Sequence, residues 1–311
     1  MSEPAVLLCG HGSRDPEAIE EFEQAAASLR ARLWGRDFAT GYLEFARPTI
    51  GEALAGLRAR GAAKVLAVPG MLFAASHVKN DLPWEMNSFM AAHPGAEVRL
   101  GRDLGIDPKL LEAAADRIAA VAPESQRSES LLVVVGRGTN DPDANSNIAK
   151  VARMLWEGLG FGWAEAAFSG VAHPRVGAAL DRAARLGFRR IVVFPYFLFT
   201  GVLVKRIYGE TDDAAARFPE IAFVKAGYLR DHPQVINAFL DRIDECETGE
   251  PAMNCQLCKY RTRIIGYDDA VGTPQQGHHH HVRGAGVGHH HDPHHDHPHT
   301  HEHSHSHHRE G

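Results

Sequence analysis

The chain has 311 residues, 44% of them hydrophobic, and a formal net charge of −6 at pH 7. The length suits about two globular domains, and the negative charge argues against nucleic acid as the main partner. The N-terminus lacks the basic and apolar segments of a signal peptide. The apolar run at residues 191–199 contains Pro195 and is too short to span a membrane. We therefore predict a cytoplasmic protein without membrane association.

Strands and helices are predicted to alternate along the first 122 residues. Short apolar runs predict buried strands at residues 5–9, 38–45, 64–68 and 97–100. Apolar residues three or four positions apart predict helices around residues 19–33, 50–57, 78–92 and 110–120. Strands that alternate with helices through short connections indicate a parallel sheet covered on both faces.

The same pattern returns 126 residues later. The segment GHGSRDP at 10–16 is matched by GRGTNDP at 136–142, and prolines 48 and 69 align without a gap with prolines 174 and 195. This repeat predicts an α/β protein with two duplicated lobes, at residues 1–122 and 130–245. The polar segment at 123–130 is predicted to be a linker without secondary structure.

Three metal-ligand side chains follow three strands of the first copy. His11 comes after the first strand, Glu44 ends the second and His77 follows the third, whereas the second copy has Arg137, Gly170 and Leu203 at these positions. The carboxyl ends of parallel strands lie on one edge of the sheet. Two imidazoles and a carboxylate suit cobalt, iron, nickel or zinc without choosing among them.

Each of these residues also has an ordinary interpretation. His11 could bond loop backbone, Glu44 could be a solvated group, and His77 could begin a helix. The second copy keeps the surrounding glycines and prolines but has lost all three residues. Core packing alone does not explain that joint loss, so the set favours a functional site.

Three segments of the first copy resemble the class II tetrapyrrole chelatases, and within them the long CbiX-type sirohydrochlorin cobaltochelatases. They are GHGSR at 10–14, LEFA at 43–46 with Pro48, and LFAASHVKNDLP at 72–83. The resemblance covers residues 4–245 and extends to a C-terminal Cys motif and His-rich tail. It implies a lyase with two lobes facing one cleft, so that a monomer is sufficient for one active site.

The implied reaction is insertion of Co2+ into sirohydrochlorin during cobalamin biosynthesis, without ATP or an organic cofactor. We predict that His11, Glu44 and His77 hold the metal and that one of the two histidines accepts pyrrole protons. Which histidine does so is left open. The carboxylates of sirohydrochlorin call for cations, and the candidates near the motifs are Arg14, Arg47, Lys79 and Arg137, although each could equally be a solvated surface charge.

The region 246–311 carries two further metal-binding patterns. Cys246, Cys255 and Cys258 are three thiols, one fewer than a usual iron–sulfur or zinc site needs. The resemblance favours an iron–sulfur cluster whose fourth ligand is a histidine or comes from another subunit; the alternatives are a zinc site or an unligated thiol pair.

Sixteen of the 21 histidines lie in the tail, which is expected to be disordered without metal and to act as a metal reservoir or delivery arm. They are His278, His279, His280, His281, His289, His290, His291, His294, His295, His297, His299, His301, His303, His305, His307 and His308.

Two other functions stay open at this point. The same fold could insert iron or nickel rather than cobalt. Alternatively, the tail could be the functional part of a metal storage or chaperone protein, for which the duplicated body is only a platform.

Overall fold

The computed structural model describes residues 3–249, which form two copies of one α/β unit. The first copy contains β1 (Ala5–Gly10), α1 (Pro16–Arg30), β2 (Phe38–Tyr42), α2 (Ile50–Ala59), β3 (Lys64–Pro69), a π-helical turn (His77–Asp81), α3 (Leu82–Ala92), β4 (Glu97–Leu100) and α4 (Pro108–Ala119). After α5 (Glu124–Arg127), the second copy contains β5 (Ser130–Gly136), α6 (Pro142–Leu159), β6 (Trp163–Phe168), α7 (Val176–Ala183), a 3-10 turn (Ala184–Leu186), β7 (Arg190–Pro195), α8 (Val202–Arg217), β8 (Ala222–Lys225) and α9 (Pro233–Thr248).

Each copy forms a four-stranded parallel sheet. The strand orders are β2-β1-β3-β4 and β6-β5-β7-β8. Strands β1 and β5 are buried along their whole length because both faces of each sheet are covered. The predicted fold class, two duplicated lobes with parallel sheets flanked by helices, is confirmed. We call the two copies the first and second lobes.

The inner faces of the two sheets share one hydrophobic core. Alternate residues of β1 belong to different clusters: Leu7 packs with α2 and α3, whereas Val6 belongs to a cluster that also contains Leu132 of β5 and Phe239 of α9. Helix α9 packs against β3, α1 and α4, and α4 also contacts α6. The terminal helices of the repeats therefore join the lobes. The boundaries at 122 and 130 separate the two copies of the repeat, but the copies share the core between their sheets.

Two local predictions differ from the structure. The segment expected to lack secondary structure contains the single-turn helix α5, which is too short to show a hydrophobic period. The second strand ends at Tyr42 because the chain then turns: Phe45 has φ 59°, and the Tyr42 N–H donates to Pro48 O. Glu44 therefore lies in a loop and not in the strand. Among residues 3–249, no helix is long and apolar enough to cross a membrane.

Two lysines related by the repeat tie each lobe to the other. Lys79 Nζ lies 2.6 Å from Asp141 Oδ2, and Lys205 Nζ lies 2.8 Å from Asp15 Oδ2. The two aspartates also cap helices, because Asp15 accepts the Glu17 N–H at the start of α1 and Asp141 caps α6 in the same way. Asp15 and Asp141 occupy equivalent places in the repeated GHGSRDP-like segments, so the duplication produces two equivalent ion pairs between the lobes. We call the pairs Lys79–Asp141 and Lys205–Asp15 the latch.

The two halves of this latch are expected to differ in their contribution to stability. The Lys79 side chain is 14% exposed and that of Lys205 is 50% exposed. Changing Lys79 to Met leaves the buried Asp141 carboxylate without its cation and is expected to cost about 3–5 kcal/mol of unfolding free energy. Lys205→Met is the matched comparison and should cost less, because the Lys205 ammonium is half exposed and screened by water, although its partner Asp15 is as buried as Asp141. Urea unfolding followed by circular dichroism measures both variants, and equal losses would contradict the asymmetry.

Candidate active site

A cleft of about 410 Å³ lies between the lobes, at the carboxyl ends of β1 and β3 and of their second-lobe counterparts. Both lobes supply its walls, which are largely apolar. The aromatic residues of the lining are Phe22, Tyr42, Phe45, Phe73, Tyr196, Phe197 and Phe199. Among the polar lining residues are His11, Arg14, His77, Arg137 and Asn145. Apolar walls with a few polar groups suit a large, mostly apolar ligand that carries polar substituents.

His11 and His77 meet at this cleft. Their ring centroids are 4.5 Å apart and their planes are perpendicular. Nδ1 of His11 lies 2.9 Å from Gly12 O, and since a carbonyl can only accept, this geometry places the proton on Nδ1 and leaves the lone pair on Nε2. The structure thus brings together the two imidazoles predicted from the strand ends.

His77 is oriented by a carboxylate that the sequence analysis missed. Its Nδ1 lies 2.6 Å from Oδ2 of Asp81, and Asn80 Nδ2 donates to the other carboxylate oxygen at 2.7 Å. Asp81 is buried in the π-helical turn that begins at His77. A carboxylate on Nδ1 fixes the tautomer and presents Nε2 as ligand or proton acceptor, a common arrangement around metal-binding histidines. A sequence signal existed, because the second lobe has Ile207 at the position equivalent to Asp81.

A glycine allows the loops of His11 and Glu44 to touch. Gly12 has φ 89°, and a Cβ on it would lie 1.7 Å from Glu44 O. The Glu44 N–H donates to His11 O at 3.0 Å. Gly138 repeats this arrangement in the second lobe, where a Cβ would lie 1.9 Å from Gly170 O. The second lobe therefore has the same backbone arrangement without the three predicted ligands.

The predicted third ligand, Glu44, is 7% exposed and does not line the cleft. Its charge acts on Arg137: burial lowers the pKa of the Arg137 guanidinium, and the negative charge of Glu44 partly offsets that effect. Within residues 3–249, no three His, Cys, Asp or Glu side chains are grouped as a metal site. The structure therefore assembles the two imidazoles, and the three-ligand set stays a prediction.

Two of the four predicted substrate-binding cations lie on the cleft wall. The guanidinium carbon of Arg14 is 4.8 Å from the centroid of the Phe45 ring, and Arg137 faces His11 from the second lobe. Arg47 instead pairs with Glu52 at 2.6 Å and does not line the cleft. Lys79 forms the latch described above and does not line it either. The geometry therefore supports a substrate role for Arg14 and Arg137 more than for Arg47 and Lys79.

Cys246 lies in α9, inside the shared core. Its Sγ is 3.5 Å from Arg99 O, and burial raises the pKa of its thiol to about 11. A thiol of this kind is mostly protonated at neutral pH and is a weak metal ligand. Cys255, Cys258 and the sixteen tail histidines fall outside the described residues, so the iron–sulfur, zinc and metal-reservoir predictions stay untested.

Asp103 holds the loop that leads to His77. Its Oδ2 accepts the Ala74 N–H at 3.0 Å, and the neighbouring Gly105 N–H donates to Leu72 O at 2.7 Å. Burial raises the pKa of Asp103 to about 6, although the Ala74 hydrogen bond and the charge of Arg102 oppose the shift. The backbone before His77 therefore depends on a carboxyl group that is costly to ionise in the folded protein.

Asp103 is expected to make stability depend on pH in the acid range. Because its folded pKa is above the ordinary value of 3.8, its stabilising effect is complete below pH 3.8 and is lost as the pH rises through about 6. Asp103→Asn keeps an oxygen acceptor for Ala74 without the charge, so it should gain up to ~3 kcal/mol over wild type above pH 6 and nothing near pH 4. Urea unfolding across this range tests the prediction, with the exposed Asp213→Asn as control. A difference from wild type that does not vary with pH would contradict it.

Comparisons with known proteins agree with this architecture. A model of the CbiX family matches residues 5–121 and 131–246, which are the two copies of the repeat. The sirohydrochlorin cobaltochelatase of Priestia megaterium is 35% identical over 270 residues, covering 85% of this chain and 87% of the relative. The sirohydrochlorin ferrochelatase of Bacillus subtilis (strain 168) is 27% identical over 241 residues, covering 78% and 91%. The structure of SirB from Bacillus subtilis with Fe3+ matches with a TM-score of 0.71 and 27% identity, covering 79% of this chain and 96% of that one.

Two lobes face one cleft, and the first lobe supplies both histidines that were predicted to bind metal; together with these relatives, this arrangement is that of a metal chelatase. The chain belongs to the CbiX family. The predicted family, fold and enzyme class are thus confirmed.

Proposed function

We propose that the protein is a sirohydrochlorin cobaltochelatase that takes Co2+ and sirohydrochlorin as its substrates. The observation that carries the proposal is the pair of imidazoles, 4.5 Å apart, at a largely apolar cleft between the lobes. The choice of macrocycle and metal is supported by the Priestia megaterium cobaltochelatase, whose similarity spans most of both chains.

The reaction needs acceptors for two protons and side chains that hold the metal ion before it enters the macrocycle. Each Co2+ that enters the macrocycle replaces two pyrrole N–H protons, so the charge on the ring nitrogens is balanced when both protons leave. Nε2 of His11 and Nε2 of His77 are suited to hold the ion and to receive a proton, because the Nδ1 atoms are engaged by Gly12 O and Asp81. Arg14 of the first lobe and Arg137 of the second offer cations for the carboxylates of the macrocycle.

The direct test mixes the full-length protein with sirohydrochlorin under anaerobic conditions and adds Co2+. The expected result is a metal-dependent change in the absorbance of the macrocycle that is faster than the uncatalysed reaction. Absence of both catalysis and any spectral change on macrocycle binding would overturn the proposal. That outcome is the one expected of a metal storage protein.

The same assay tests iron and nickel against cobalt. A sirohydrochlorin ferrochelatase is the second candidate, because the Bacillus subtilis ferrochelatase matches 78% of this chain and the similar SirB structure is described with Fe3+. We expect the highest kcat/KM with Co2+. A higher value with Fe2+ would reassign the metal and leave the chelatase reaction in place.

A further inference from the structure

Arg137 reaches across the cleft to one of the proposed metal ligands. It stands at the second-lobe position equivalent to His11, and its Nη2 lies 3.4 Å from Nε2 of His11. The guanidinium can only donate, so it points at the imidazole lone pair. Since Nδ1 of His11 is engaged by Gly12 O, Nε2 is the atom that would bind a metal. Arg137 and an incoming cation therefore compete for one lone pair.

The charge of a buried carboxylate also acts on Arg137. Glu44 is 7% exposed, and its negative charge raises the pKa of Arg137 against the effect of burial. A buried carboxylate is costly unless a cation or hydrogen bonds compensate it. A divalent cation held at His11 would add positive charge to the same part of the cleft, and the nearby guanidinium would then be a repulsive neighbour. The position of Arg137 therefore suits a counter-ion that occupies the site before the metal arrives and moves away when the metal binds.

We infer that Arg137 is a displaceable counter-ion whose removal from His11 by a carboxylate of the tetrapyrrole opens the site to Co2+. The inference rests on the proposed function and adds an order of events within the same cleft. A guanidinium pairs strongly with a carboxylate, so the macrocycle gives Arg137 an alternative partner. Because linkage is reciprocal, bound macrocycle strengthens metal binding and bound metal strengthens macrocycle binding.

Arg14 provides the comparison within the same cleft. It carries the same charge and lines the same walls, but its guanidinium lies over the Phe45 ring. If any cleft cation weakened metal binding, the two arginines would behave alike. If the contact with His11 matters, only Arg137 has the effect.

The metal arm of the test uses Co2+ alone. Calorimetric titration of the full chain measures Co2+ binding in wild type, Arg137→Leu, His11→Ala and the double variant. All four proteins share the tail, so the change in Co2+ affinity caused by His11→Ala reports binding at the cleft alone. The His11-dependent affinity should rise about tenfold or more in Arg137→Leu, because a unit charge within a few ångströms is removed. Arg137→Gln serves as a second variant, and Arg14→Gln should leave the affinity unchanged.

The macrocycle arm measures initial insertion rates with both substrates varied. In wild type the KM for Co2+ should fall as sirohydrochlorin rises, and in Arg137→Leu it should become independent of sirohydrochlorin. Unchanged Co2+ affinity in both Arg137 variants, or coupling that persists without Arg137, would overturn the inference. If Arg137→Leu binds Co2+ more tightly than wild type but wild type inserts no Co2+, the proposed reaction is rejected. The competition between Arg137 and metal is then still supported.

Discussion

Alanine in place of His11 or His77 is expected to reduce the rate of cobalt insertion by about 100-fold or more, because each change removes a metal ligand or proton acceptor from the cleft. The two rings are 4.5 Å apart, so each variant leaves one imidazole of the pair in place. The measurement is the initial change in macrocycle absorbance at saturating Co2+ and sirohydrochlorin. Rates near that of wild type in both variants would rule out the assignment of the site.

The matched control is His93→Ala. His93 ends α3, its Nδ1 contacts Phe89 O at 2.9 Å, and it does not line the cleft. It should retain the wild-type rate. If His93→Ala lost activity to the same degree, removal of any partly buried histidine would explain the result, and the cleft would have no special role.

The same two variants separate the roles of the histidines. A residue that only holds Co2+ mainly raises the KM for Co2+, so excess metal restores the rate. A residue that accepts the pyrrole proton lowers kcat, and excess metal does not restore it. The residue order in the sequence could not distinguish these roles, because His11 and His77 both follow a strand of the same sheet.

Much of the fold was predictable because the sequence contains the same α/β unit twice. Apolar runs placed the strands, and the repeat offset extended every assignment in the first lobe to the second. The packing of α9 against β3 of the other lobe was not predictable in this way. An amphipathic helix such as α9 shows that one face is buried, but its sequence does not tell which sheet covers that face.

The site was predictable to the extent that single strand ends define it. His11 and His77 were identified because parallel strands end at one edge and because the second lobe lacks both residues. The latch was not predicted, because the partner of Lys79 is Asp141 of the other lobe and no local sequence spacing connects the two residues. Glu44 was assigned to a strand because its neighbours are apolar, although the φ of 59° at Phe45 requires a turn there.

Asp81→Asn is expected to weaken Co2+ binding at the cleft and the rate of insertion by about 10–100-fold while the protein stays folded. The asparagine has nearly the same shape, but it replaces a carboxylate that accepts from Nδ1 of His77 at 2.6 Å by an amide that can present its NH2 group instead. His77 would then adopt the other tautomer, with its proton on Nε2, the atom needed for the metal. Asp81 acts through His77 and is therefore a positioning residue.

A double-mutant cycle distinguishes this role from a structural one. In the His77→Ala background, Asp81→Asn should not weaken Co2+ binding further, because the ring that it orients is absent. In the His11→Ala background, the same change should still weaken the remaining binding, since His77 is intact. If Asp81→Asn had the same effect in both backgrounds, or lowered the midpoint of urea unfolding in proportion, its carboxylate would serve the fold around the π-helical turn and not the orientation of His77.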